Sequence, residues 1–93
     1  MITAIVLVEC KIDQVPEVAE QIADLEGVSE VYSVTGDVDL IVLVRVHEHA
    51  DLAGVIADRL GKVPGVQGTK TYLAFQAYSK HDLEAAFALG TEG

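Results

Sequence analysis

Val34-Thr35-Gly36-Asp37-Val38-Asp39 runs directly into the apolar segment Leu40-Ile41-Val42-Leu43-Val44. A glycine-acid turn between two β-rich segments is how a hairpin is written in sequence. This turn carries two carboxylates, Asp37 and Asp39, and a glycine whose backbone a ligand can approach closely. The rest of the chain is expected to build a sheet that holds the turn, and the turn is expected to belong to a small-molecule site.

The strand after the turn, Asp39 to Val46, is apolar on both alternating faces: Leu40, Val42, Val44 and Val46 on one, Ile41 and Leu43 on the other. Ile2 to Val8 is the other almost continuously apolar run, and suits a strand buried on both faces. Val28 to Thr35 mixes Val31 and Val34 with Ser29, Glu30 and Ser33, and reads as an edge strand. Val66 to Tyr78 reads as a long, mixed fourth strand.

Two helices separate these strands. Asp13 is the expected cap of the first, with Pro16 in the first turn, where a missing N–H costs nothing. Val15, Val18, Ala19, Ile22 and Leu25 then recur at helical spacing, and Gly27 ends the run. The second helix opens over Glu48 to Asp51, buries Leu52, Val55, Ile56, Leu60 and Val63, and stops at Pro64-Gly65. Ser79-Lys80-His81-Asp82 has the spacing of a capping box, and Leu83, Ala86 and Phe87 suggest a short C-terminal helix. The expected division is a domain over residues 1–78 and a helical tail over 79–93.

Each helix ends in Gly-Val, at Gly27-Val28 and Gly65-Val66, and the two strand–helix–strand halves are of similar length. Joined by the hairpin, they predict an α+β, ferredoxin-like βαββαβ fold with antiparallel strand order 4-1-3-2 and two helices on one face. That order makes the two apolar strands central. Only the short C-terminal helix is then left to cover their second face, which predicts a homodimer packed sheet to sheet, a dimeric α/β barrel. At about 25 cal/mol per Å², wetting several Val, Leu and Ile side chains costs several kcal/mol.

Composition points the same way. A chain of 93 residues hides only roughly 60–65% of the surface it exposes unfolded, yet 51% of these residues are apolar. A net charge of −9, with scattered lysines and arginines, disfavours direct nucleic-acid binding. The single cysteine, Cys10, makes no internal disulfide and lacks zinc-site spacing. The apolar start has no basic leader and is cut short by Glu9, so neither a signal peptide nor a membrane span is expected, and the chain is placed in the cytoplasm.

Gly27-Val28, Val34-Thr35-Gly36-Asp37-Val38-Asp39 and Pro64-Gly65-Val66 with Thr69 and Thr71 form an ordered set. In order and spacing this set resembles the C-terminal effector (RAM) domain of the Lrp/AsnC regulators over about residues 1 to 77. The resemblance implies a sheet-paired dimer that assembles further into an octamer or similar ring, with amino acids bound between dimers. It also implies a regulatory role in transcription or amino-acid metabolism, without catalysis, metal or cofactor, and association with full-length regulators of the family. The ligand-binding positions it carries over are Gly36, Asp37, Asp39, Thr69 and Thr71. Backbone N–H groups and threonine hydroxyls suit an α-carboxylate, and an aspartate suits the α-ammonium. In two respects the chain departs from the family pattern. Met1 already begins the first strand, so a stand-alone type without the helix-turn-helix is expected, and Val38 stands where the family often has an aromatic residue.

Other readings stand beside this one. Hairpin turns favour Gly and Asp whether or not anything binds there, which leaves open an assembly module without ligand. A small dimeric α/β-barrel enzyme would need polar groups converging in a cavity between sheet and helices, for which Arg45 and Tyr72 are the candidates. His47 and His49 share a side if the strand continues, and with His81 would make a metal site; solvated strand-end histidines are the simpler reading.

Overall fold

A computed structural model describes residues 1–78. The predicted C-terminal helix and His81 lie outside the described residues. Strands β1 (Ile2–Cys10), β2 (Val28–Ser33), β3 (Leu40–Val46) and β4 (Val66–Leu73) form one sheet in the order β2-β3-β1-β4, with every neighbouring pair antiparallel. This is the predicted order read from the other edge. Helix α1 (Val15–Ala23) links β1 to β2, and α2 (His49–Ala53) begins the link from β3 to β4.

Among the described residues, helices cover one face of the sheet. Ala4, Val6, Val8 and Cys10 of β1 pack with Leu40, Val42, Val44 and Val46 of β3 against Val18 and Ile22 of α1 and Val55, Leu60 and Val63 from the second helical segment. Among the described residues no polar or charged side chain is buried in this core. On the opposite face Ile5 pairs with Leu43 and Leu7 with Ile41, and all four are half-buried. The alternation read in β1 and β3 is the alternation observed.

Element ends differ from expectation where a partner runs out. β4 stops at Leu73 rather than Tyr78, because Leu73 is opposite Ala4 and the bond from Ala74 N to Thr3 O (2.9 Å) is the last that β1 can accept. β2 stops at Ser33, opposite Leu40, and the bond from Val34 N to Asp39 O (3.1 Å) closes the hairpin. Asp13 does not cap α1. It lies in a 3₁₀ turn, Ile12–Gln14, and Gln14 is the N-cap, without a side-chain bond. Past Ala53 the second helix widens into a π-helical segment, Gly54–Arg59, then tightens into a 3₁₀ turn, Leu60–Lys62.

Two glycines are required by the fold. Gly27 (φ +95°) and Gly65 (φ +99°) adopt the left-handed conformation that L side chains rarely take. A Cβ on Gly27 would come 2.6 Å from Val55 Cγ2, and one on Gly65 would come 2.7 Å from Val18 Cγ2. Both sit where a helix must lie close against the turn leading into an edge strand.

Candidate functional site

The hairpin is seated at the end of the sheet where β1 finishes. Register slips between Glu9 and Cys10, because Glu9 is opposite Gly68 and Cys10 opposite Val66, so Gln67 is an extra residue in β4. Asp39 occupies the corner beside this bulge. Its N–H donates to Val8 O (3.0 Å), and its Oδ2 accepts from Cys10 N (2.9 Å). The carboxylate thus extends the β1–β3 ladder by one rung. Burial pushes the Cys10 thiol above its ordinary value of 9.0, and the nearby Asp39 charge raises it further.

Beside the hairpin lies an open pocket of about 260 Å³. Asp37 and Val38 border it from the turn, Leu7 and Glu9 from β1, and Gly68, Thr69, Lys70 and Tyr72 from β4. Register explains the grouping: Leu7 is opposite Lys70, Glu9 opposite Gly68 and Ile5 opposite Tyr72, which puts Glu9, Lys70 and Tyr72 on the uncovered face of the sheet. A Cβ on Gly68 would lie 3.8 Å from Glu9 Oε2, so the Glu9 carboxylate reaches over that glycine. Among the described residues the one ion pair is Arg45–Glu30 (3.9 Å), so none of Glu9, Asp37 and Lys70 is paired there.

Of the five positions singled out in the sequence, Asp37 and Thr69 border this pocket and Gly36, Asp39 and Thr71 do not. Gly36 (φ +139°) forms the exposed tip, with open space where a Cβ would stand. Thr69 and Thr71 are opposite Val8 and Val6, so their side chains share the helix side of an exposed edge strand. Glu9 and Lys70 were not singled out. Lys70 alternates with the two threonines, and Glu9 interrupts an apolar run; only the pairing register brings them together.

A larger cleft, about 420 Å³, lies at the other end of β3, lined by Glu26, Arg45, His47, Asp51 and Arg59 among others. Its arginines are already engaged: Arg59 Nη1 donates to Glu26 O (3.1 Å), and Arg45 Nη1 donates to Ser29 Oγ (2.8 Å). Arg45 and Tyr72 therefore do not converge; they border different hollows, and neither faces the helix-covered core. β3 ends at Val46, and His49 is already the first residue of α2, so the two histidines do not alternate along one strand. Among the described residues no group of three or more His, Cys, Asp or Glu is arranged to hold a metal ion.

Known proteins share this architecture. A family model described as the Lrp/AsnC ligand binding domain matches residues 3–83. The HTH-type transcriptional regulator FL11 of Pyrococcus abyssi is 32% identical over 77 residues, which cover 83% of this chain and 50% of that protein. The chain spans about half the length of the curated relatives it matches. The crystal structure of TTHA0845 from Thermus thermophilus superposes with a TM-score of 0.80 at 44% identity, covering 86% of this chain and all of that one. The transcriptional regulator NMB0573 of Neisseria meningitidis, solved as a complex with L-Met, has a TM-score of 0.75 at 16% identity, over 84% of this chain and 52% of that one. At that identity the likeness is one of fold. Sheet order, hairpin placement and the family match over most of its length agree: the chain belongs to the Lrp/AsnC ligand-binding domain family.

Proposed function

We propose that this domain is a non-enzymatic effector module that binds a small amino acid or related metabolite beside its hairpin and passes the signal on through assembly. The observation that carries the reading is the pocket in which Asp37 and Thr69 meet Glu9 and Lys70, neither of them ion-paired among the described residues. It offers charges of both signs over an apolar floor, the pattern that recognises a zwitterion. Relatives are named as transcriptional regulators, and one structural neighbour was solved with L-Met.

In this reading Gly36 lets the turn project, Asp37 accepts from the ligand's ammonium and Asp39 holds the hairpin in place. Thr69 borders the pocket through its backbone, and Thr69 and Thr71 present their hydroxyls on the helix side of the edge strand to a neighbouring dimer. The uncovered face with Ile5, Leu7, Ile41 and Leu43 pairs with a second copy, so that the pocket lies at the margin of that pairing and the second copy helps to wall it, and dimers associate into an octamer or similar ring. Full-length regulators of the family are the natural hetero-partners, and the cytoplasm is the natural setting. With a net charge of −9, the domain acts on transcription through such partners rather than by touching nucleic acid itself. Among the described residues no helix is long and apolar enough to cross a membrane.

The test is a thermal-shift and light-scattering screen of the purified protein against the twenty amino acids. A ligand that binds only the folded assembly stabilises it by about 2.7 kcal/mol at a hundredfold excess over Kd. No melting shift and no change in mass with any of them would contradict the effector reading and leave an assembly module.

A further inference from the structure

The helix layer stops short of one corner of the sheet. Leu73 is opposite Ala4, a buried core residue, so its side chain falls on the helix side, yet Leu73 is exposed. Where β4 ends, a hollow of about 250 Å³ opens between that strand, the first residues of β1 and the start of α2. Met1, Ile2, Leu73, Ala74 and Phe75 line it together with His49. Met1, Leu73 and Phe75 are large apolar side chains left exposed, and Phe75 has no cover at all. Apolar surface gathered around a hollow in this way marks a place where something docks.

We infer that the cover is the chain's own C-terminal segment, which turns back so that Leu83, Ala86 and Phe87 seat in the hollow against Leu73 and Phe75. The described residues end at Tyr78, three positions past Phe75, and residues 79–93 follow. Their sequence supplies what the hollow lacks. Ser79 to Asp82 has capping-box spacing, and Leu83, Ala86 and Phe87 then fall on one side of a helix. The match to the Lrp/AsnC domain ends at residue 83, so Ala86 and Phe87 lie beyond the shared domain. The link from Phe75 to Leu83 spans at most about 25–30 Å when extended, enough to double back onto the hollow. So short a link holds the stripe at an effective concentration on the order of millimolar, which favours the tail's own subunit over a free second copy. With the tail spent on the helix side, the face carrying Ile5, Leu7, Ile41 and Leu43 stays open for sheet-to-sheet pairing.

The intact protein offers three unambiguous probes, because Phe75 and Phe87 are its two phenylalanines and Met1 its single methionine. With rings and methyl isotopically labelled, nuclear Overhauser contacts are expected from Phe87 to both Phe75 and Met1. An oligomer refolded from a mixture of Phe-labelled and Met-labelled subunits is expected to lose the contact between Met1 and Phe87, since the two belong to one subunit. Phe75→Ser and Phe87→Ser are each expected to lower Tm by about 3–6 °C, and the double variant no further than the larger single loss. Absence of any contact from Phe87 to Phe75 or Met1 overturns the assignment, as do losses in Tm that simply add. Survival of the contact between Met1 and Phe87 in the mixed oligomer overturns it as well, and places the tail on a second copy.

Discussion

Replacing Asp39 tests the account of the hairpin most sharply, because the structure gives this side chain one bond. Asp39→Ala removes the Oδ2 acceptor 2.9 Å from Cys10 N and leaves in place the backbone bonds from Asp39 N to Val8 O and from Val34 N to Asp39 O. Cys10 is only 5% exposed, so its N–H loses a partner at a site with little access to water. A hydrogen bond to a charged group is worth about 1.5–3 kcal/mol net, and a neutral one about 0.5–1.5. Asp39→Ala is therefore expected to cost about 2 kcal/mol, and Asp39→Asn, which keeps a neutral acceptor, about 1 kcal/mol. For a domain of this size each kcal/mol lowers Tm by about 4–8 °C. Urea and thermal unfolding at one fixed protein concentration measure both variants, since assembly makes apparent stability concentration-dependent. The Cys10 thiol gives a second readout. Removing the Asp39 charge lowers its pKa, while burial, the larger cause, keeps it above 9.0. If Asp39→Ala matches the wild type within about 0.3 kcal/mol, the carboxylate does not fasten the hairpin and the reasoning fails.

Other outcomes follow from single positions. Gly65→Ala places a methyl 2.7 Å from Val18 Cγ2 at φ +99°, whereas Gly36→Ala meets nothing within 4 Å. The first is expected to cost more than about 2 kcal/mol and the second about 1 kcal/mol, close to the left-handed penalty alone; chemical denaturation separates them, and equal losses would contradict the packing at Gly65. Because the folded Cys10 pKa is raised, its contribution to stability is complete below 9.0. That contribution is lost as pH rises through the folded pKa, since the unfolded thiol ionises first. Wild-type stability should therefore fall more steeply than that of Cys10→Ala above about pH 9, and parallel pH profiles would remove the thiol from the account. Leu43→Asp sets a carboxylate opposite Ile5 at the middle of the uncovered face. Burying it between two sheets costs several kcal/mol, so light scattering should report at least a hundredfold weaker dimer; an unchanged mass would mean that copies do not pair through this face.

Much of the fold was legible in the sequence because strand burial is written at a period of two. Leu40, Val42, Val44 and Val46 alternate with Ile41 and Leu43, and β1 repeats the pattern, so the two central strands identify themselves and set the order of the sheet. Strand ends were less legible: Leu73 ends β4 only because β1 offers no further acceptor beyond Thr3, a property of the partner. The widened turn at Gly54–Arg59 left no mark either, since Leu52, Val55, Ile56 and Leu60 keep helical spacing across it. The candidate site was legible in half. Asp37 could be read from the turn and Thr69 from the resemblance, but Glu9 and Lys70 meet only through antiparallel register, which no local pattern encodes. Asp39 and Asp37 are alike in sequence, and only the end of the β1–β3 pairing at Val8 and Leu40 sets one of them beside the N–H of Cys10.

The central claim is that effectors bind in the pocket beside the hairpin. Hydrogen exchange of the intact protein with and without a saturating amino acid that raises its melting temperature, resolved by peptide, tests it most directly. The account predicts slowed exchange in peptides spanning the hairpin, residues 34–40, and the start of β4, residues 66–72, with the cleft around Gly27 and Arg59 unchanged. Protection confined to that opposite cleft, or no protection under conditions where calorimetry shows binding, would contradict it.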